Sequence, residues 1–375
     1  MSNIRGFDKK QTPIAIFLTV VAVFAIISVL AFGDNNKTGN GVDVTNSQTS
    51  EDKTKKNSSK GDEKKEPTTQ QKPPDISIPE DYTTSQSIVI SQSTAMEMYG
   101  VSQNSLQRYA NVINNFSLAV PNAQVYVMLA PTIIEFYGPE KYNTGNRSQE
   151  KGIKIAYDAL NSNIKSVDAR SALRMHIDEY LYFRTDHHWT ARGAYYAYTA
   201  FAKTAGFNPS KLDSYEMGRI DGFVGSMYRY TQSQALKDNP DYVETFKPST
   251  NATGVIFNDT TMSQSRPLTI VADDISASNK YLAFIQGDNP IIKITTEKKN
   301  GKKIILIKES YGNAFAPFLI DNFEEIYVTD PRRVEMNLSD FVNTNGINNV
   351  MFLNYTFAPS NPTYMKAFLK MLGQG

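Results

Sequence analysis

From about residue 84 onward, short unbroken apolar runs alternate with longer stretches whose apolar side chains return every three or four positions. The first pattern reads as buried strand and the second as amphipathic helix. Strands are predicted over SIVIS (87–91), AQVYVMLAPT (123–132), IKSVDAR (164–170), KKIILIKES (302–310), EIYVTD (325–330) and NNVMFLNY (348–355). Helices are predicted over 102–120, where Leu106, Tyr109, Val112, Ile113 and Phe116 share a face, and over 149–162, 190–206 and 313–323. Thr190 reads as the N-cap of the third and Gly206 as its stop. Strands alternating with helices predict an α/β layered domain with a mainly parallel sheet. Between about 213 and 293 the rhythm breaks, which predicts an irregular or β-rich insertion. No internal repeat is visible.

Two segments of different character precede this body. From Pro13 to Phe32 the chain reads PIAIFLTVVAVFAIISVLAF, without a charge. As a helix this run spans about 30 Å, the thickness of a bilayer's hydrocarbon core. Arg5, Lys9 and Lys10 precede it and Asp34 follows, which predicts a cytoplasmic N-terminus and an external remainder. Residues 1–33 are thus expected to be a cytoplasmic stub and an uncleaved single-pass anchor. A cleaved signal peptide is the alternative, with a long apolar core and a mediocre cleavage site in AFGD. Residues 34–83 mix charges, carry late prolines and hold almost no large apolar side chains. Such a stretch buries too little surface to offset the entropy of ordering, and a disordered extracellular linker is expected.

Composition narrows the chemistry. The chain has no cysteine, which excludes thiolate metal sites, disulfides, thiol catalysis and a lipid-modified anchor. A formal net charge of +1 offers no basic footprint for nucleic acid. Histidine is scarce at three residues, and two of them, His187 and His188, are adjacent in RTDHHWTARGAYYAY (184–198). Asp186 precedes them, Trp189, the sole tryptophan, follows, and His176 lies a short way upstream.

A serine hydroxyl attacks only when a base removes its proton, and the base must be oriented by a third group. In an extended segment residues i and i+2 share a face. Asp186 and His188 are therefore expected together, with His187 turned away. Chemistry in open α/β sheets gathers at the carboxyl ends of strands. In IILIKESYGNAF a strand ends at Lys308 and leaves Ser310 at the turn into a helix, whose N–H groups can hold an oxyanion. The candidate triad is Ser310 as nucleophile, His188 as general base and Asp186 as orienter. A plain helix N-cap is the alternative for Ser310. A metal site on His176, Glu179, Asp186, His187 and His188 is another, opposed by the difficulty of chelating one ion with adjacent histidines. No metal and no cofactor is assigned.

YLYFRTDHHWTARGAYYAY resembles the signature of the DHHW family, surface proteins of Gram-positive bacteria. VYVMLAPT, GFVGSMYRYT, FIQGDNP and NGKKIILIKESYGNAFAPFL resemble further blocks of that family in the same order, over about 88–372. The family is similar to the SGNH-hydrolase-like proteins that O-acetylate alginate outside the cell, in which an Asp-x-His pair precedes the nucleophilic serine. Asp186, His188 and Ser310 match that order. The resemblance implies an SGNH-like fold for 84–375 and acetyl transfer to a cell-surface polysaccharide through an acyl-serine. It also implies a membrane-bound O-acyltransferase as the acyl donor. A Gly and an Asn are implied as oxyanion donors and are assigned to Gly287 and Asn289, after a strand-like YLAFI, beside the Ser310 N–H. Ser226 is a rival donor, and a plain turn is the other reading of QGDN. Trp189 and Tyr311, with Tyr195 and Tyr196, are expected to offer a sugar-stacking wall, and Arg184 to bind substrate; helix core is the other reading of Tyr195 and Tyr196. One departure is Glu309, where the family pattern has Asp. A carbohydrate esterase, or a non-catalytic polysaccharide-binding or assembly protein, are the alternatives.

Overall fold

The computed structural model describes residues 80–374, so the expected anchor and nearly all of the expected linker lie outside the described residues. Among the described residues no helix is long and apolar enough to cross a membrane.

Three strands, β1 (Thr83–Ser85), β2 (Ile88–Ser91) and β3 (Thr94–Glu97), form a small antiparallel sheet. The main sheet draws on β4 (Gln124–Ala130) and β5 (Lys165–Ser166). A separate antiparallel pair, β6 (Glu216–Phe223) and β7 (Asp241–Lys247), follows in the chain. The main sheet is completed by β8 (Ala252–Phe257), β9 (Ser265–Leu268), β10 (Ile291–Thr296), β11 (Lys303–Lys308), β12 (Glu325–Thr329) and β13 (Asn349–Tyr355), in the order β5-β4-β13-β11-β12-β10-β8-β9. From β5 to β12 every pairing is parallel, and from β12 to β9 every pairing is antiparallel. The predicted parallel sheet is thus the half that ends at β12. The stretch that breaks the sequence rhythm supplies the antiparallel extension and the β6–β7 pair.

Both faces of the parallel half are covered, which is why its strands read as continuous apolar runs. Along β11, Ile304 and Leu306 enter one core while Ile305 and Ile307 enter the other. The first core takes the helix Ala191–Ala205, and the second takes the helices Gln103–Ala119 and Pro362–Met371. Thr190 caps the first of these through Gly193 N, and Gly206 ends it at φ +77°, a conformation open to glycine at little cost.

Three elements differ from the sequence reading. The strand at 164–170 shortens to Lys165–Ser166, because the Asp168 side chain caps a helix over Ala169–Arg174. The helix at 313–323 starts at Tyr311 and tightens to 3₁₀ over Ala316–Asp321, where Pro317 cannot donate to the α ladder. YLAFI is no strand: Lys280–Ala283 is a 3₁₀ turn.

Candidate active site

The carboxyl ends of β4, β13 and β11 lie side by side, and Ser310 stands two residues beyond β11, as N-cap of a short helix. The loop carrying the histidines is closed at its base by a bridge between Tyr182 and Trp189. Asp186 Oδ1 accepts from His188 Nδ1 at 2.5 Å and from the His188 main-chain N–H at 3.1 Å. His188 Nε2 lies 2.7 Å from Ser310 Oγ. The predicted trio is brought together, though not by an extended strand. Asp186 folds back onto the residue two ahead of it, as aspartates do in turns. For the same reason His187 is not turned away. Its ring centroid is 3.8 Å from that of His188, and its Nδ1 is 2.6 Å from Ser226 Oγ.

Electrostatics fix the direction of the relay. Burial alone would raise the Asp186 carboxyl. The adjacent His188 and His187, the His188 hydrogen bond and the Ser226 N–H outweigh it and hold the group well below the usual carboxylate range. An ionised carboxylate only accepts hydrogen bonds. His188 Nδ1 therefore carries the proton, and Nε2 offers its lone pair to the Ser310 hydroxyl. Burial, and then His188, press the His187 imidazole down to about 4, so His187 is neutral near pH 7. Tyr281 lies flat on His188, with ring centroids 4.0 Å apart at 10°.

Two inserted segments hold this loop. Asp241, at the start of β7 and 2% exposed, accepts from Tyr180 Oη, from Arg184 N and Nε, and from Thr185 N and Oγ1. Ser226 N donates to Asp186 Oδ2 at 2.7 Å. Gly225, just before it, admits no side chain, since a Cβ there would lie 2.2 Å from Asp186 Cβ and 2.4 Å from its Oδ2. Gly225→Ala should therefore displace Asp186 and cost about 1–3 kcal/mol of stability. Thermal unfolding of the variant checks this, and a wild-type value would refute it.

Several expected roles are corrected by burial or by prior hydrogen bonds. Trp189 and Tyr311 are fully buried and cannot wall a sugar site. They tie the two halves of the site together instead: Trp189 Nε1 donates to the Tyr311 carbonyl at 2.9 Å, and Tyr311 Oη donates to the His187 carbonyl at 2.5 Å. Arg184 is engaged with Asp241 and the Pro240 carbonyl. Asn289 spends its amide N–H groups on the Ile285 and Gly287 carbonyls, and its Oδ1 accepts from Arg266. The Gly287 N–H donates to the Phe284 carbonyl. Neither residue offers a donor to Ser310. Between them Asp288 binds Lys308 at 2.7 Å, Asn313 at 3.1 Å and Arg332 at 2.9 Å, fastening this loop to both sides of the nucleophile turn. Ser226 is likewise used, on His187. Tyr195 is buried, while Tyr196 stacks on His176, which pairs with Glu179 away from the histidine pair.

Asp186, His187 and His188 each bring a donor atom within 4.8 Å of the others, so adjacency is no geometric bar to a shared ion. Those nitrogens are nevertheless engaged by Asp186, Ser226 and Ser310. Asp241 and Tyr281 carried no sequence signal: each is one acid or aromatic among many, and only tertiary docking selects it. Asp288 lies inside the FIQGDNP block, where the sequence drew attention to its two neighbours instead.

A family model described as "DHHW protein" matches residues 62–329. A DHHW family protein from Eubacterium siraeum superposes with a TM-score of 0.71 at 34% identity, over 79% of this chain and 99% of that one. Bacillus cereus PatB1 follows with a TM-score of 0.60 at 18% identity, over 76% of this chain and 98% of that one. The same protein with a sulfonyl adduct gives 0.60 at 17%, over 74% and 96%. At these last identities the likeness is one of fold, an SGNH-like α/β layered domain. No curated protein matches the chain.

Proposed function

The chain belongs to the DHHW family, and on that footing we propose that it is an extracytoplasmic O-acyltransferase that carries an acetyl group on Ser310 to a hydroxyl of a cell-surface polysaccharide. The observation that carries this reading is the relay Asp186–His188–Ser310, with links of 2.5 and 2.7 Å. His188 Nε2 takes the proton of Ser310 as Oγ adds to the carbonyl carbon of an acetyl ester. Asp186 steadies the imidazolium that forms. We assign the oxyanion to the Ser310 N–H. Collapse of the tetrahedral adduct breaks the bond to the donor oxygen, which leaves with the proton held by His188. A sugar hydroxyl then repeats the steps in reverse, giving its proton to His188 and releasing Ser310.

The apolar run 13–32 and the polar stretch 34–83 fit this reading. They would tether the domain outside the membrane, near a membrane-bound O-acyltransferase that supplies the acetyl group. Incubating the full chain with 4-nitrophenyl acetate should place one acetyl group on Ser310, located by peptide mass spectrometry and lost in Ser310→Ala. A folded wild type that never acquires this adduct would sink the reading. Rapid loss of the adduct to water, with none to an oligosaccharide, would recast the protein as an esterase.

A further inference from the structure

His188 is held by more than the two bonds at its edge. The Tyr281 ring lies 4.0 Å from it between centroids, with 10° between planes, and the His187 ring lies at 3.8 Å and 37°. Rings whose centroids come this close must lie over a face, because edge-to-edge contact needs a wider spacing. Among the described residues Tyr281 and His187 make no ring contact with each other, so they cover opposite faces of His188.

Each covering ring is fixed by contacts of its own. Tyr281 N donates to the Asn279 side chain at 3.2 Å, and the Tyr281 ring meets Phe183 and Phe284 edge-on at 6.1 and 5.3 Å. Tyr281 is buried and its hydroxyl has no hydrogen-bond partner among the described residues, so the ring is what it brings. Ser226 Oγ accepts from His187 N at 3.3 Å and so turns its own hydrogen to His187 Nδ1 at 2.6 Å. That leaves the ring proton of His187 on Nε2 and the ring neutral.

As His188 takes the proton of Ser310 it becomes a cation with both faces largely shut from water, an environment that disfavours charge. A π face within about 6 Å attracts a cation and replaces part of the lost hydration. Tyr281 stays neutral because burial pushes its phenol well above 10. Burial and His188 keep His187 neutral near pH 7, where a second imidazolium at 3.8 Å would repel the first. The other charged and titratable groups that face these rings are Asp186 on the same loop, Glu97 of β3, Arg229 of the helix Ser226–Thr231, Tyr311 and Glu309 of the nucleophile turn, and Asp288.

We propose that Tyr281 and His187 are positioning residues that clamp the two faces of His188, hold its Nε2 on Ser310 and stabilise the imidazolium formed during acyl transfer. This rests on the acyl-transfer reading above. It gives a task to His187, which the relay itself does not use.

The test compares the full chain with Tyr281→Leu, Tyr281→Phe and His187→Asn, none of which alters the other groups facing the rings. Thermal unfolding checks that each is folded. One readout is single-turnover acetylation of Ser310 by 4-nitrophenyl acetate. The other is the protonation midpoint of His188, followed by NMR of isotope-labelled histidine rings, of which the chain has three. Tyr281→Leu should slow acetylation about tenfold with the KM for the ester unchanged. It should also lower the midpoint by about half a unit, roughly a threefold loss of proton affinity. Tyr281→Phe, which keeps the ring, should hold the wild-type midpoint and a rate within about twofold. His187→Asn keeps a polar atom for Ser226 but removes the ring, and should lower the rate about threefold and the midpoint with it. Should Tyr281→Leu fail to fold, His187→Asn decides by the same readouts. A midpoint unmoved in the ring-deleting variants would overturn the proposal even where acetylation slows, since lost packing alone slows the rate without moving the proton. Loss in Tyr281→Phe equal to that in Tyr281→Leu would also overturn it. If wild type forms no acetyl-Ser310, the acyl-transfer reading fails and the midpoint alone decides: lowered, it upholds the clamp, and unmoved, it overturns it.

Discussion

Asp186→Asn should slow acylation of Ser310 by about 10⁴-fold without unfolding the chain. The size follows from the tautomer. In the wild type, Asp186 accepts through Oδ1 from His188 and through Oδ2 from the Ser226 N–H. An asparagine keeps one of those acceptors. If its oxygen stays with Ser226, its NH₂ donates to His188 Nδ1 and moves the imidazole proton to Nε2, where it points at Ser310 Oγ and the base is gone. If the amide flips, its NH₂ faces the Ser226 N–H, and a buried donor loses its partner at a cost of about 1–3 kcal/mol. Pre-steady-state acylation together with thermal unfolding distinguishes the two. A rate within tenfold of wild type would mean that Asp186 does not set the tautomer.

The second large effect is on stability. Burial pushes the Glu309 carboxyl up to about 7 from 4.5, although the Tyr311 and Tyr355 N–H groups and the charge of Arg332 oppose it. Between these two values the folded chain holds a proton that the unfolded chain has released. The resulting stabilisation is complete below about pH 4.5, fades as pH rises and is gone above about pH 7, a change of about 3 kcal/mol. His187 acts with the opposite sign, because its imidazole, lowered from 6.5 to about 4, refuses a proton that the unfolded chain accepts. Stability from His187 therefore falls as pH drops from 6.5 to 4, and the wild-type profile alone conceals both. Subtracting the denaturation profile of Glu309→Gln from that of wild type isolates Glu309. The difference should fall by about 3 kcal/mol from pH 4.5 to 8, plus a constant offset from the acceptor that glutamine lacks. Two profiles that stay parallel over this range would show that Glu309 is ionised throughout. Its Oε2 lies 3.4 Å from Ser310 Oγ, so the same titration alters the field at the nucleophile.

The relay was legible because its parts are rare or specially placed. Two of three histidines, the only tryptophan and an acid share one short stretch, and a serine follows an apolar strand. The parallel half of the sheet was legible because strands covered on both faces announce themselves as apolar runs. The antiparallel extension was not, since β8 and β9 bury only one side chain fully apiece and so show no continuous apolar run. Trp189 and Tyr311 read as a sugar wall because an aromatic near a site looks alike whether it faces solvent or core. Only the folded packing reveals that their polar tips join the histidine loop to the Ser310 turn. Asn289 misled for a related reason. An asparagine in a tight turn has nearby carbonyls to satisfy first, and here it closes its own loop.

The tie between Trp189 and the Tyr311 carbonyl spans 122 residues of chain. Trp189 is also the sole tryptophan, and it is fully buried. Intrinsic emission excited in the indole band therefore comes from one spot, the junction of the histidine loop and the Ser310 turn. A fluorophore with its N–H on that carbonyl emits as a buried, hydrogen-bonded indole, and water reaching it shifts the spectrum to the red. The protein thus carries its own optical gauge of how these two segments come together, without a label. A spectral change on adding an ester or a saccharide would report on that junction itself, not on the molecule at large.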